Sequence, residues 1–358
     1  MRILHLLNHR RRLNGHVHAA VDLACAQVKL GHTVAMASQG GDFDELLRTN
    51  GIETFVVDHE RRPGPVLKSM VGLTGLLRRW RPDVVHAHMM TSAVLAWPAC
   101  KLTRVALVTT VHNEFEKGAI LMGLGDRVIA VSAAVAKSMQ KRGISASRID
   151  VVLNGTIGSA RMTGRSEVPK SLDHPAIVFV GGLHPRKGLP DLLQAFDAVH
   201  AQHPSARLYV VGGGPTQDSY TAMARAMASA DAIAFAGPQD DPYPWMIGAD
   251  IFVLPSHADP APLVLSEARE AGCAVIATQV DGIPELLGQG ESGILVPPKS
   301  PDRIADALRM LVTDPDQLKA WRAKSQIGIE NLRIDRVARA ALEVYGRAIG
   351  PRAKPSAS

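Results

Sequence analysis

The sequence predicts an α/β protein of two doubly wound domains, on three observations. Short apolar runs alternate with longer helical patterns along the chain, as in parallel sheets covered by helices on both faces. The alternation stops once, at 159–175, and then restarts. The 358 residues also suffice for two full cores at about 100–200 residues per domain.

The elements follow in order. "RILHLL" reads as a first strand and "VHAAVDLACAQVKLG" as the first helix, with Gly31 as its stop. Strand "TVAMAS", helix "FDELLRTNG", strand "TFVVD" and a helix around 66–80 come next. "DVVHAH", "ALVTTVH" and "RVIAVS" are further strands, "AAVAKSMQKRG" is a helix stopped by Gly143, and "IDVVLNG" closes the first domain, 1–158. "SARMTGRSEVPKSLDHP", 159–175, is polar, contains proline and lacks periodicity, so it reads as a linker.

The second domain, 176–332, repeats the scheme. It runs "AIVFVGG", helix "LPDLLQAFDAVHAQ", "RLYVVGGG", helix "YTAMARAMASA", "IAFAG" and helix "YPWMIGA". It continues "DIFVLPS", helix "LVLSEAREAG", "AVIAT", helix "IPELLG", "GILVP" and helix "PDRIADALRMLVTD". A last helical stretch covers 333–350, and "PRAKPSAS", 351–358, reads as a disordered tail. Ligands of open parallel sheets bind beyond the carboxyl ends of the strands. The loops after "LLN", "HAH", "TTVH", "VGG", "VGGG", "LPS" and "ATQVDG" are therefore the place for chemistry, in a cleft between the two domains.

Composition narrows the partners. Charged residues are 21% and hydrophobic residues 46%, the profile of a soluble globular protein. Aromatics at 4% argue against a base-stacking nucleic-acid surface. Residues 1–158 hold 20 Lys+Arg against 12 Asp+Glu, a net +8, and the remainder holds 20 against 22, a net −2. The clusters "RRR" at 10–12, "ERR" at 60–62 and "RRWR" at 78–81 suit an acidic partner such as an anionic membrane or a phosphorylated acceptor, or a solvated face. Cys25, Cys100 and Cys273 form no disulfide framework, consistent with a reducing cytoplasm. No apolar run reaches membrane-spanning length, since Pro98, Lys101 and Arg104 interrupt the best one.

Three stretches carry polar groups at strand ends. In "VFVGGLHPRKGLPDLL", Gly181 and Gly182 end a strand, and Arg186 and Lys187 precede a helix. Glycines admit a ligand to the backbone and paired cations suit a diphosphate, although an exposed turn would carry the same residues. "VVGGGP" lacks dinucleotide-fingerprint spacing and reads as a tight turn. In "PSHADPAPLVLSEAREAG", Pro262 opens a helix, so the amides of Leu263 and Val264 sit at its positive end and Glu267 lies about a turn further in. Asp259 as a cap and Glu267 as dipole compensation are the plain alternatives. "HAH" at 86–88 offers two imidazoles, too few for a metal site, and a polar strand end accounts for them.

Taken in order, "PSxxD…P-L-V…E-A…G…V-I-A-T…G-I-P-E-L…G…G-I-L-V" closely resembles the retaining glycosyltransferases of family 4, of the kind that build bacterial surface polysaccharides and lipid-linked glycans. "NGHVHAAVDLACAQVKLGHTV", "PDVVHAH", "TTVHN", "RVIAVSAAV", "VVLNG" and "VGGLHPRKG" extend the likeness over nearly the whole chain. The resemblance implies the GT-B fold: two Rossmann-like domains facing a cleft, the first for the acceptor, the second for a UDP- or GDP-sugar donor, with the last helix crossing back to the first domain. It implies that Lys187 and Arg186 neutralise the diphosphate, that Glu267 accepts hydrogen bonds from both ribose hydroxyls, and that Asp259 lies near the sugar hydroxyls. Leu263 and Val264 amides would meet phosphate oxygens beside Gly181 and Gly182. His112 would reach the transferred sugar, and Gly15 would let backbone approach the diphosphate. The chain departs from the pattern at Asp259 (usually Glu), Pro260 (usually Gly) and Gly182 (usually Arg).

The expected activity is metal-independent hexosyl transfer with no cofactor. Cations and helix amides would stabilise charge growing on the leaving diphosphate. The expected acceptor is a glycan or lipid-linked saccharide and the expected place is the cytoplasm, peripheral on the inner membrane face, with no nucleic-acid partner. A nucleotide-sugar epimerase and a non-catalytic scaffold subunit are the alternatives.

Overall fold

The computed structural model describes residues 1–12, 14–57 and 63–350. The basic cluster at 60–62 and the tail at 351–358 lie outside these residues. The chain forms two compact units, Met1–Thr163 joined by the segment from Arg333 onward, and Gly164–Leu332. The stretch 159–175, expected as a linker, is thus divided at Thr163, and Ala160–Met162 forms a short 3₁₀ turn of the first unit.

The first unit contains β1 (Arg2–Leu6), α1 (Gly15–Lys29), β2 (Thr33–Ser38), α2 (Asp44–Thr49), β3 (Glu53–Val56), α3 (Pro63–Trp80), β4 (Val84–Ala87), α4 (Met90–Thr103), β5 (Ala106–Val111), β6 (Arg127–Ala130), α5 (Ala133–Lys141) and β7 (Ile149–Val151). Its sheet is parallel throughout, in the order β3-β2-β1-β4-β5-β6-β7. The central strands β4 and β5 are buried along their whole length, so they are mostly apolar without alternation, with His86, Thr109 and Thr110 as buried polar residues among them. Gly31 at φ +84° and Gly143 at φ +100° stop α1 and α5 in the left-handed region, as their sequence positions predict. Ser132 caps α5 by accepting a hydrogen bond from the Val135 amide at 3.3 Å.

The second unit contains β8 (Ala176–Val180), α6 (Leu189–His200), β9 (Arg207–Val211), α7 (Gln217–Arg225), β10 (Ile233–Gly237), α8 (Tyr243–Ile247), β11 (Ile251–Leu254), α9 (Leu263–Glu270), β12 (Ala274–Thr278), α10 (Ile283–Leu286), β13 (Ile294–Val296), α11 (Pro301–Thr313) and α12 (Pro315–Lys324). Its parallel sheet has the order β10-β9-β8-β11-β12-β13. Leu192, Leu193 and Phe196 of α6 and Ile304, Leu308 and Leu311 of α11 share one core with β8, β9, β11 and β12.

The chain then returns to the first unit as α13 (Ile334–Ile349). Ile334, Val337, Ala338, Ala341, Val344, Tyr345 and Ala348 recur at three- and four-residue spacing and are all buried. This is the apolar stripe of a helix packed on one side. It lies against α1, β5 and β6 and joins the core that includes Val17, Val21, Val108 and Ile129.

Candidate active site

A doubly wound sheet has a switch point where successive connections leave in opposite directions, and the loops there part to make a crevice. In the second unit it lies between β8 and β11, because β9 and β10 extend the sheet one way and β12 and β13 the other. The two loops it brings together are 181–188 and 255–262. These hold Lys187 and Asp259, which are 72 residues apart in sequence.

Backbone fit closes those loops on one another. Gly188, at φ +66°, leaves no room for a side chain: a Cβ there would stand 2.0 Å from the Pro255 carbonyl oxygen. Gly212, at φ +137°, sits equally close to its neighbour, with its Cβ position 1.9 Å from Gly181 O. The "VGGG" turn therefore serves packing against the Gly181–Gly182 loop. The His257 amide donates to Arg186 O at 2.7 Å, and His257 Nε2 lies 2.7 Å from Asp191 Oδ2 on α6.

Within this frame Lys187 Nζ donates to Asp259 Oδ2 at 2.5 Å, with the two side chains 12% and 7% exposed. A buried ammonium needs such a partner, since an uncompensated charge would be costly there. Ser256 Oγ donates to the same carboxylate oxygen at 3.4 Å. Arg186 is more exposed; its Nη1 is 3.9 Å from Asp259 Oδ1 and donates to Ala258 O at 3.3 Å. The Asp259 amide donates to Asp281 Oδ2 at 2.7 Å. Burial raises the Asp281 carboxyl above the ordinary carboxylate range, and that amide hydrogen bond works against the rise.

Beyond Asp259, Pro262 is the cap residue of α9 (φ −70°, ψ 123°), so Leu263 and Val264 form its first turn. Glu267 is half-buried in the next turn, between buried Ser266 and Ala268. The second unit thus brings Lys187, Arg186 and Asp259 into contact, with the start of α9 following on the same loop. Gly181 and Gly182 are half-buried beside it.

Gly15 and His112 belong to the first unit, at its own switch-point side. Gly15 opens α1, and a Cβ there would meet nothing within 4 Å, so the local packing does not require a glycine. His112 follows β5 and ends a hydrogen-bonded chain of histidines. His5 and His86 are register partners on β1 and β4 and so share a sheet face. His112 Nε2 lies 3.1 Å from His88 Nδ1, His88 Nε2 lies 2.8 Å from His5 Nδ1, and His5 Nε2 lies 2.8 Å from Gln27 Oε1. Gln27 Nε2 donates to Tyr345 Oη at 3.1 Å, and Tyr345 Oη is 2.6 Å from His86 Nδ1. Burial lowers His5 to about 4 and His112 to about 3, and holds His86 and His88 well below 6.5. All four imidazoles are therefore neutral at physiological pH.

His5, His86 and His88 bring three ligand-type nitrogens within 4.8 Å, a set that suits a transition metal by number. Their geometry is that of a hydrogen-bonded chain. His86 engages both nitrogens, with Tyr345 Oη and Thr110 Oγ1 each at 2.6 Å, and its ring lies over His88 at 4.0 Å between centroids.

The matches to known families fall on the two units. Residues 162–327 match the family described as Glycosyl transferases group 1, and residues 13–156 match Glycosyltransferase Family 4. A glycogen synthase of Mycobacterium tuberculosis is 30% identical over 297 residues, 76% of this chain and 70% of that protein. The chain belongs to the group 1 glycosyltransferases. A D-inositol 3-phosphate glycosyltransferase of Streptomyces bingchenggensis is 28% identical over 318 residues, 78% of this glycosyltransferase and 70% of its relative. The solved structure of Anabaena Alr3699/HepE in complex with UDP shares the GT-B fold at TM-score 0.81, with 20% identity over 97% of this chain and 100% of that one.

Sequence reasoning about this glycosyltransferase missed Asp191 and His257, which brace the Lys187 loop, Asp281, which holds the Asp259 amide, and His5, Gln27 and Tyr345, which continue inward from His112. The sequence trace of this histidine chain is "HAH", whose two imidazoles, His86 and His88, are both buried.

Proposed function

We propose that this glycosyltransferase moves a sugar from a nucleoside diphosphate donor to a glycan or lipid-linked acceptor, with retention at the anomeric carbon, in surface-polysaccharide assembly. The observation that carries the donor half is the buried Lys187–Asp259 pair at the β8/β11 switch point. The UDP held by the structurally similar Anabaena Alr3699/HepE supports a nucleotide ligand.

In this reading Asp259 holds the Lys187 ammonium in place, and Lys187 and Arg186 meet the diphosphate. The amides of Leu263 and Val264 take phosphate oxygens, Gly181 and Gly182 let the ligand reach backbone, and Glu267 accepts hydrogen bonds from the ribose diol. The bond from the anomeric carbon to the phosphate oxygen breaks as the acceptor oxygen bonds to that carbon. The acceptor proton passes to the departing phosphate oxygen on the same face, so no metal and no enzymic nucleophile is needed. The protein's part is to stabilise negative charge that exists mainly in the transition state. The first unit takes the acceptor, with Gly15 and His112 contributing from it.

A basic, apolar surface supports a membrane-borne acceptor. Val94, Trp97 and Lys101 follow one another along the exposed side of α4, where Val94 is 42% and Trp97 41% exposed, and exposed Arg104 follows its end. Exposed Ile120 and Leu121 belong to the adjoining 3₁₀ segment Lys117–Leu124. Trp and Lys at this spacing suit a headgroup boundary. Among the described residues no helix is long and apolar enough to cross a membrane.

The test is turnover of a panel of labelled UDP- and GDP-sugars, with Lys187→Ala as the control. One donor should be consumed, and the variant should lose at least about a hundredfold in kcat, the effect of deleting one transition-state donor. Full activity in Lys187→Ala, or binding of no nucleotide sugar, would overturn the proposal.

A further inference from the structure

The histidine chain has a direction, and Gln27 sets it. The Gln27 amide spends its N–H on Tyr345 Oη, so its Oε1 is the atom turned to His5 Nε2, at 2.8 Å. A carbonyl oxygen only accepts, so His5 carries its hydrogen on Nε2. A neutral His5 then has a bare Nδ1, and the 2.8 Å contact to His88 Nε2 requires the hydrogen to be on His88. By the same step, the bare His88 Nδ1 requires the hydrogen of the 3.1 Å contact to be on His112 Nε2. One ring reversed against this order would set two lone pairs or two hydrogens face to face, so the chain changes direction only as a whole.

We infer that Gln27 and Tyr345 are positioning residues that fix His112 as the Nε2–H tautomer, leaving its Nδ1 as a pure hydrogen-bond acceptor for a hydroxyl of the bound sugar. The burial-lowered affinities keep every ring of the chain neutral, which the single direction requires. A ligand group facing Nδ1 must then donate: a sugar hydroxyl fits, whereas a carboxylate or phosphate oxygen meets a lone pair with nothing to offer. The tautomer assignment stands on the first unit alone. Only the identity of the ligand rests on the glycosyl-transfer reading.

The experiment is long-range ¹H–¹⁵N NMR of the full chain labelled at histidine, with His112 assigned by His112→Asn. In the wild type, His112 should show a protonated-type Nε2 and a bare-type Nδ1. Gln27→Met removes the acceptor, and Tyr345→Phe removes the oxygen that orients the amide; each should shift His112 toward the other tautomer. Gln27→Glu, which only accepts when ionised, should keep the wild-type pattern at pH above its own raised pKa, even if Gln27→Met does not fold. On an identified donor, kcat/KM of Gln27→Met should fall about three- to tenfold, the worth of one hydrogen bond, and Gln27→Glu should recover it. A hydrogen on His112 Nδ1 in the wild type, or a pattern indifferent to both Gln27→Met and Tyr345→Phe, would overturn the inference. If no sugar is transferred but the spectra behave as stated, the tautomer lock holds and the glycosyl-transfer reading fails.

Discussion

Acidification should weaken the first unit well before the second. His5 is 0% exposed and burial lowers it from 6.5 to about 4. In the unfolded chain it titrates near 6.5, so below that pH the unfolded state takes up a proton that the folded state refuses. A depressed folded value means that stability is complete above 6.5 and is lost as pH falls toward 4. Each pH unit in that window is worth about 1.4 kcal/mol, so His5 alone should remove about 2 kcal/mol between pH 7 and pH 5. His86 and His88, buried beside it and lowered in the same sense, add to the loss. That is a large share of a typical domain stability of about 5–15 kcal/mol. The second unit supplies an internal control, because no histidine among its described residues is buried. The assay is hydrogen exchange at pH 7 and pH 5, corrected for intrinsic rates, on peptides from β1, β4, β8 and β11. The β1 and β4 amides should lose protection while β8 and β11 hold theirs. Equal protection of β1 and β4 at both pH values would refute the reasoning.

Gly188→Ala should destabilise the second unit by about 1–3 kcal/mol or more, since both its φ and the Pro255 oxygen oppose a Cβ; thermal melts would show it, with Gly15→Ala, where a Cβ meets nothing within 4 Å, as the neutral comparison. Asp259→Asn keeps shape but removes the charge opposite Lys187, and kcat/KM should drop about ten- to hundredfold, the worth of a hydrogen bond to a charged group. Glu267→Gln should raise the donor KM by about tenfold with a smaller change in kcat, the signature of lost ground-state binding. Trp97→Ala combined with Lys101→Glu should reduce sedimentation with anionic vesicles at low salt and leave melting unchanged; undiminished binding would remove α4 from the membrane surface.

The parallel strands were legible because burial on both faces writes them as largely apolar runs, as in "IFVL" and "AIVFV". Gly31 and Gly143 were legible because a left-handed helix stop admits few other residues. α4 was not, since Pro98 stands inside it and its buried and exposed positions are both largely apolar, so no stripe appears in the pattern. α12 escaped for the opposite reason: none of its residues is buried. In the candidate site, the motif pointed to Lys187 and Asp259 separately, but their pairing depends on strand order, which local periodicity does not encode. The histidine chain was least legible. Gln27 and Tyr345 are 318 positions apart, and a glutamine on an apolar helix resembles any other half-polar core residue.

The return of α13 has a consequence for biosynthesis. The second unit is one uninterrupted stretch, Gly164–Leu332, whereas the first needs residues near both ends of the chain. On the ribosome the later-made unit can therefore close while the earlier one still waits for its last helix. Until Ile334–Ile349 emerges, the face that Val337, Ala341 and Tyr345 will cover lies open to water. A stalled or truncated product would expose that face, giving chaperones and proteases a handle on unfinished copies.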